Sequence, residues 1–131
     1  EKEYLAIAEG LLPDDEGTIT VPIGRVEGSI ILRRPDPDGQ SAVTHYRVLR
    51  RGNGCTLVSV RLETGRTHQI RVHFSWLGYP LAGDDLYGGH TDRISRQALH
   101  CAEMSFPQPF TGEPIRISAP LPPDMAALLE P

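Results

Sequence analysis

Long apolar runs, cysteines and lysines are scarce in this sequence of 131 residues. No apolar run approaches the ~18 residues that indicate a membrane-spanning helix, so the sequence predicts no span. The two cysteines, Cys55 and Cys101, are too few for a disulfide scaffold, which is typical of a reducing compartment. We therefore expect a cytoplasmic protein with no membrane partner.

Several motifs of catalysis and nucleotide binding are also missing. The sequence contains no G-x-S-x-G, no G-x-G-x-x-G and no Walker loop. A zinc-binding helix places two histidines four residues apart, whereas His68 and His73 would lie roughly 140° apart around a helix. The sequence therefore predicts neither a serine hydrolase nor a dinucleotide site, and we expect no metal.

The charges are unevenly distributed along the chain, although the net charge is −4. Twelve of the thirteen cationic side chains are arginines, and six of them lie between His45 and His73, where Glu63 is the one acid. The planar guanidinium suits phosphate and carboxylate partners. Contact with an anionic partner and genomic codon bias both explain the excess of arginine, and the sequence does not choose between them.

Hydrophobic periodicity predicts a mainly antiparallel sheet with one central helix, an α+β domain. Strands are predicted at residues 4–8, 18–23, 42–50, 56–63, 98–106 and 114–118, a mobile loop at 33–40, and helices at 67–77 and 123–129. The turn at 51–54 should join two strands as a hairpin. Thr64 or Thr67 can cap the central helix, and Gly78 can end it.

A polar face at the start of the central helix marks a candidate site. His68, Arg71 and Ser75 follow one another at spacings of three and four, so a helix places them on one face. The apolar residues Ile70, Phe74 and Leu77 follow one another at i, i+4 and i+7, so they form a different face of the helix. Gly65 permits a sharp turn just before them.

The segment 64–73, TGRTHQIRVH, resembles the signature of the RluA-type RNA pseudouridine synthases. The resemblance continues through Gly78-x-Pro80, Gly83-Asp84 and Tyr87-Gly88-Gly89, and weaker matches flank it on both sides. Cys101 and Pro107-Gln108-Pro109 depart from the usual pattern. The H-R-L-D segment with the family's catalytic aspartate would lie before Glu1, and Asp84 and Asp85 match a structural position instead.

The resemblance implies an enzyme that isomerises specific uridines of ribosomal RNA or tRNA to pseudouridine without a cofactor. Residues 1–131 would form the C-terminal portion of the catalytic domain, and we expect them to be inactive alone. RNA is the expected partner, and the expected oligomeric state is a monomer. A non-catalytic RNA-binding module and an α+β domain without any RNA role are the alternatives.

Two residues receive a catalytic role from the resemblance. Arg71 would pair with the upstream aspartate, hold it ionised and aim it. Tyr4 would stack on the target base or assist proton movement at C5. The alternative interpretations are that Arg71 is a surface arginine and that Tyr4 is a half-buried strand tyrosine.

Four further residues receive a substrate-binding role. Leu99 would pack under the target base, although a core leucine is the simpler interpretation. Arg66, His68 and Gln69 would shape the loop and contact RNA or the aspartate loop.

Overall fold

An antiparallel sheet of six strands forms the centre of the computed structural model, which describes residues 2–131. The strands are β1 (Lys2–Glu9), β2 (Glu16–Ile19), β3 (Ile23–Arg25), β4 (Arg33–Pro35), β5 (Thr44–Gly52), β6 (Cys55–Leu62), β7 (Leu99–Pro107) and β8 (Pro114–Ser118). The helices are α1 (Gln69–Leu77) and α2 (Pro123–Ala126), with short 3₁₀ turns at Asp85–Tyr87 and Ala127–Leu129. The large sheet has the order β2-β5-β6-β1-β7-β8, and β3 and β4 form a separate pair. The predicted α+β fold is confirmed.

The hairpin of β5 and β6 forms where the sequence predicts it. Asn53 and Gly54 occupy its tip with φ values of 52° and 76°. Two consecutive residues with positive φ are the mark of a type I′ turn, whose twist matches that of the flanking strands.

The strand predicted at residues 18–23 is wrong at both ends. β2 begins earlier and stops at Ile19, and β3 begins at Ile23. Pro22 has no N–H for a sheet ladder, so the chain leaves the large sheet beside it. The Ile23 N–H instead donates to the Gln40 carbonyl. The segment 33–40, predicted as a mobile loop, accordingly contains β4 and the return of the chain to β3. We call the β3–β4 pair, residues 23–35, the arm.

The central strands of the large sheet are covered on both faces. Ala6 and Ala8 of β1 point toward a core that includes Ile70 and Phe74 of α1, where the Tyr46 and Phe74 rings meet edge to face at 5.6 Å. Ile7, between the two alanines, points the opposite way, into a core completed by the C-terminal segment. The predicted terminal helix is confirmed at residues 123–129, although its second half is a 3₁₀ turn. No helix in residues 2–131 is long and apolar enough to cross a membrane.

The ends of α1 differ in how well the sequence predicts them. Gly78 ends the helix with a φ of 95°, as expected. At the start, His68 takes the N-cap position with a φ of 57°, and no side chain caps the helix. The predicted threonine cap is wrong because the Thr64 hydroxyl is committed to Gln69 and to the Val43 N–H.

A buried polar chain ties α1 to the sheet. The imidazole of His73 is fully buried, its Nε2–H donates to the Val21 carbonyl at 2.7 Å, and its Nδ1 accepts from the Thr44 hydroxyl at 2.8 Å. The Gln69 amide donates to the same hydroxyl at 3.0 Å. Burial lowers the pKa of His73, so the neutral ring is the form that fits.

Acidification is expected to destabilise the fold through His73. Because its folded pKa lies below the unfolded value of about 6.5, its contribution to stability is complete above that pH and declines as pH falls toward the folded pKa. The slope approaches about 1.4 kcal/mol per pH unit for one proton. Thermal unfolding of the full-length protein between about pH 7.5 and about pH 5.5 should show it, and His73→Gln should flatten it.

His90 provides a control of opposite sign. Hydrogen bonding to the Glu9 carboxylate raises the pKa of His90, so its contribution is present at low pH and lost as pH rises. His90→Gln should therefore leave the acid loss as large as before or larger. An unchanged pH slope in His73→Gln would contradict the role given to His73.

Candidate active site

All six residues to which the family resemblance assigns a role line one cavity of about 340 Å³: Tyr4, Arg66, His68, Gln69, Arg71 and Leu99. Tyr4 on β1 and Leu99 on β7 come from neighbouring strands of the sheet. The other four come from the turn after β6 and from the start of α1. Leu62, Ile70 and Gln97 complete the lining. The cavity therefore has aromatic and aliphatic groups on the sheet side and cationic and polar groups on the helix side.

Arg71 is held in a buried ion pair inside the chain. Its Nε and Nη2 donate to the two carboxylate oxygens of Asp84 at 3.0 and 2.7 Å. The Arg71 side chain is 11% exposed and that of Asp84 is 0% exposed. Hydrogen bonding to Asp84 raises the pKa of Arg71, so the guanidinium stays charged. A bidentate pair of this kind fixes the direction of the guanidinium as well as its position.

The family resemblance assigned Asp84 a structural position and not a catalytic one. In the structure, Asp84 is the ion-pair partner of Arg71. Pairing of Arg71 with an aspartate upstream of residue 1 stays a prediction. Asp84 occupies Nε and Nη2, and Nη1 has no hydrogen-bond partner among residues 2–131. Arg71 therefore retains donors for a second anionic group.

Tyr87 is the residue of this site that the sequence analysis missed. Its hydroxyl lies 2.6 Å from Nδ1 of His68, and its carbonyl accepts from the Ser75 hydroxyl at 2.7 Å. The Arg71 guanidinium carbon lies 5.1 Å from the centroid of its ring. The predicted polar face is confirmed, since its three members His68, Arg71 and Ser75 all contact Tyr87. The sequence did contain a signal for Tyr87, because Tyr87-Gly88-Gly89 is part of the family resemblance. The resemblance, however, assigned no role to that motif.

His68 is oriented in this arrangement, and its surroundings favour the neutral imidazole. Burial, and then the positive charge of Arg71, lower its pKa. The Tyr87 hydroxyl accepts a hydrogen bond from the Arg33 N–H at 3.0 Å, so its own proton is available to Nδ1 of His68. The imidazole thereby joins the helix start, the 3₁₀ turn and the arm.

Gln69 has every polar atom engaged inside the chain. Its Oε1 accepts from the Thr64 hydroxyl and the Arg66 N–H, at 2.8 and 3.0 Å. Its Nε2 donates to the Val43 carbonyl and the Thr44 hydroxyl, each at 3.0 Å. Gln69 therefore shapes the turn before α1, while a direct contact with RNA stays a prediction.

Arg66 stands at the rim of the cavity. Its Nε donates to the Ser41 carbonyl at 2.8 Å, which fixes the side chain at one end and leaves the terminal nitrogens available.

Among residues 2–131, no three histidine, cysteine, aspartate or glutamate side chains are grouped as a metal site would require.

Comparison with known proteins agrees with this geometry. The family model described as RNA pseudouridylate synthase matches residues 1–76. The uncharacterized RNA pseudouridine synthase YjbO of Bacillus subtilis is 52% identical over 130 residues, covering 99% of this chain and 46% of the relative. Ribosomal large subunit pseudouridine synthase D of Vibrio parahaemolyticus is 45% identical over 143 residues, covering 98% and 44%.

A solved structure shows the same fold. Human RNA Pseudouridylate Synthase Domain Containing 1 superposes with a TM-score of 0.75 at 31% identity, covering 97% of this chain and 58% of that protein. The chain thus spans about half the length of the curated relatives that it matches.

Proposed function

Because the chain belongs to the RNA pseudouridylate synthase family, we propose that the protein isomerises uridines of RNA to pseudouridine, and that the target base occupies the cavity lined by Tyr4, Arg71 and Leu99. One observation carries the proposal: residues chosen from separate parts of the sequence converge on one cavity. Its volume of about 340 Å³ lies within the ordinary range of small-molecule sites, roughly 300–1,000 Å³.

The two sides of the cavity suit the two parts of a nucleotide. Tyr4 and Leu99 offer flat and aliphatic surfaces against which a uracil ring can stack. Arg71 and Arg66 place positive charge where a ribose phosphate or a catalytic carboxylate would approach. A uridine in a folded RNA would have to leave its base stack to enter, at a cost of a few kcal/mol that the contacts must offset.

The reaction divides the work between this chain and the family's upstream aspartate. The N1–C1′ bond breaks, the uracil turns, and a C5–C1′ bond forms, after which C5 loses its proton and N1 holds one. Arg71, fixed by Asp84, would keep the aspartate ionised and aimed through its remaining donors. Tyr4, which lines the same cavity, would hold the base or assist the proton transfer from C5.

The same proposal covers the substrate and the setting. Ribosomal RNA and tRNA are the candidate substrates, the protein would act as a monomer in the cytoplasm, and no cofactor takes part. Several of the relatives carry the name of ribosomal large subunit pseudouridine synthases, which makes large-subunit RNA the first substrate to assay.

The test is direct mapping of pseudouridine. The full-length protein is incubated with unmodified ribosomal RNA and tRNA, and we expect stoichiometric pseudouridine at one or a few defined uridines. Binding without product in either RNA would contradict the enzymatic proposal and favour an RNA-binding module.

A matched pair of leucine variants locates the chemistry in the cavity. Leu99→Ala removes a cavity wall and should slow turnover on the order of 10-fold to 100-fold, since small displacements of reacting groups are costly. Leu57→Ala removes the same atoms from the opposite face of the sheet, where Leu57 packs against the C-terminal core. It should lower the unfolding temperature without a comparable loss of rate. Equal rates in both variants would remove the cavity from the proposal.

A further inference from the structure

A second, larger cavity shares Arg66 with the candidate active site. Its volume is about 510 Å³. The arm and the segment that follows it provide the remaining walls, including Arg25 and Arg33. Three arginines from separate parts of the chain therefore face one space.

Two of these arginines form a pair that costs stability. Arg25 of β3 and Arg33 of β4 are directly opposite in the antiparallel register, so their side chains leave the same face of the arm. Like charges in this position repel each other. Within residues 2–131, no carboxylate forms an ion pair with Arg25, Arg33 or Arg66. A bound anion is the partner that would relieve the repulsion.

Acidic groups at the cavity do not fill this role. Asp36 and Asp38 also line it, but Asp36 lies 3.7 Å from Arg34, which is on the opposite face of β4. Asp38 is exposed and makes no ion pair with residues 2–131. The cavity as a whole remains more cationic than anionic.

The arginines are held on a fixed base. Ile23 at the start of the arm is buried against Ala42 and Val72. The Arg33 N–H donates to the Tyr87 hydroxyl, which joins the arm to the residues around Arg71. The Ser41 carbonyl fixes Arg66, and the Arg33 Nη1 donates to the Ile30 and Leu32 carbonyls at 3.3 and 3.0 Å, so these two side chains lose less entropy on binding than free ones would.

We propose that this cavity binds a backbone phosphate of the RNA next to the target uridine, with Arg25, Arg33 and Arg66 as its ligands. The inference rests on the proposed function, and it adds a defined phosphate subsite. Arg66 lines both cavities, so a strand whose base enters the first cavity passes the second with its flanking phosphate. Guanidinium groups bind phosphate oxygens in a fork geometry that orients the strand as well as attracting it.

The first experiment measures RNA affinity of the full-length protein against salt. The probe is a short single-stranded RNA that carries the mapped uridine. Arg25→Gln with Arg33→Gln should weaken binding and reduce the slope of log affinity against log salt by about 0.7 for the lost phosphate contact. Arg34→Gln is the control for Arg33, since it removes one positive charge from the same strand on the opposite face, and it should leave the slope nearly unchanged.

The second experiment needs no protein variant for its main arm. Single methylphosphonates, which are uncharged, replace each phosphate in turn around the uridine. One position should weaken wild-type binding strongly, and the Arg25→Gln, Arg33→Gln protein should be insensitive to it. Competition with inorganic phosphate distinguishes a site for an RNA phosphate from a site for free phosphate. If the cavity binds free phosphate, inorganic phosphate should displace the RNA probe at low millimolar concentration.

The outcomes separate this inference from the proposed function. No pseudouridine on any RNA would overturn the proposed function itself. Pseudouridine formation, with salt slopes and methylphosphonate profiles that the double variant shares with wild type, would overturn the phosphate subsite alone. Displacement of the probe by low millimolar inorganic phosphate would show that the ligand of the cavity is free phosphate and not a phosphate of the RNA.

Discussion

Asp84→Ala is expected to lower the free energy of unfolding by about 3–5 kcal/mol, because it leaves the Arg71 guanidinium buried without its counter-charge. Domains are stable by only about 5–15 kcal/mol in total, so such a loss should be plain in denaturant unfolding of the full-length protein. Asp84 is fully buried and uses both oxygens on Arg71. Among residues 2–131, no other carboxylate forms an ion pair with Arg71.

Asp85→Ala is the control for this prediction. It removes the same charge one residue further along, from an exposed side chain, and should change stability by less than about 0.5 kcal/mol. A double-mutant cycle with Arg71→Ala then isolates the pair, since the double variant should cost less than the sum of the single ones. Equal small effects of Asp84→Ala and Asp85→Ala would show that the pair contributes little.

The sheet and the central helix could be predicted because their signals are local. Alternating apolar residues in β5 and β6, with an Asn53-Gly54 turn between them, suffice for the hairpin. The apolar spacing of Ile70, Phe74 and Leu77 suffices for α1, and Gly78 for its end. Each of these features depends on residues that are close together in the sequence.

The arm and the helix start were mispredicted because distant residues decide them. Ile23 leaves the large sheet to pair with Pro35 and Gln40, which no pattern within residues 18–23 encodes. Thr64 is drawn from a capping position by Val43, 21 residues earlier in the chain. Side-chain competition across such separations has no periodic signature.

The site shows the same division. The family resemblance identified the residues that line the cavity, but it did not show that Arg71 and Asp84 form a pair or that Tyr87 links Arg71 to the arm. Asp84 lies 13 residues from Arg71, and Tyr87 lies 54 from Arg33. These contacts depend on how the loop after α1 folds back over the helix face.

The Arg71–Asp84 pair also changes how loss of Arg71 has to be examined. Removing Arg71 leaves Asp84 buried and unpaired, so Arg71→Ala should lose stability as well as any catalytic function. A fall in rate alone would therefore not distinguish the two effects. The comparison has to include a variant that keeps the charge and a measurement that stability does not move.

Arg71→Ala in the full-length protein is expected to reduce the single-turnover rate on the order of 10²-fold or more, with RNA affinity changed only modestly. Arg71 is fixed by Asp84 beside the cavity and retains Nη1 for the upstream aspartate. Without Arg71, the pKa of the upstream aspartate rises, and its carboxylate is free to turn away. RNA affinity depends on many arginines, of which this is one. Arg71→Lys should keep part of the rate, because the charge survives while the fork is lost.

The pH profile separates positioning from stability in the same variants. The acid limb of the single-turnover rate should move to higher pH in Arg71→Ala, because the aspartate has lost the cation that favoured its ionised form. Arg71→Lys should show a smaller shift in the same direction. A variant impaired only in folding would lose active protein at every pH and keep the position of the limb. Rates and dissociation constants are measured below the unfolding temperature of each variant. A near-normal single-turnover rate for folded Arg71→Ala, or a loss confined to binding, would show that Arg71 does not act on the nucleophile.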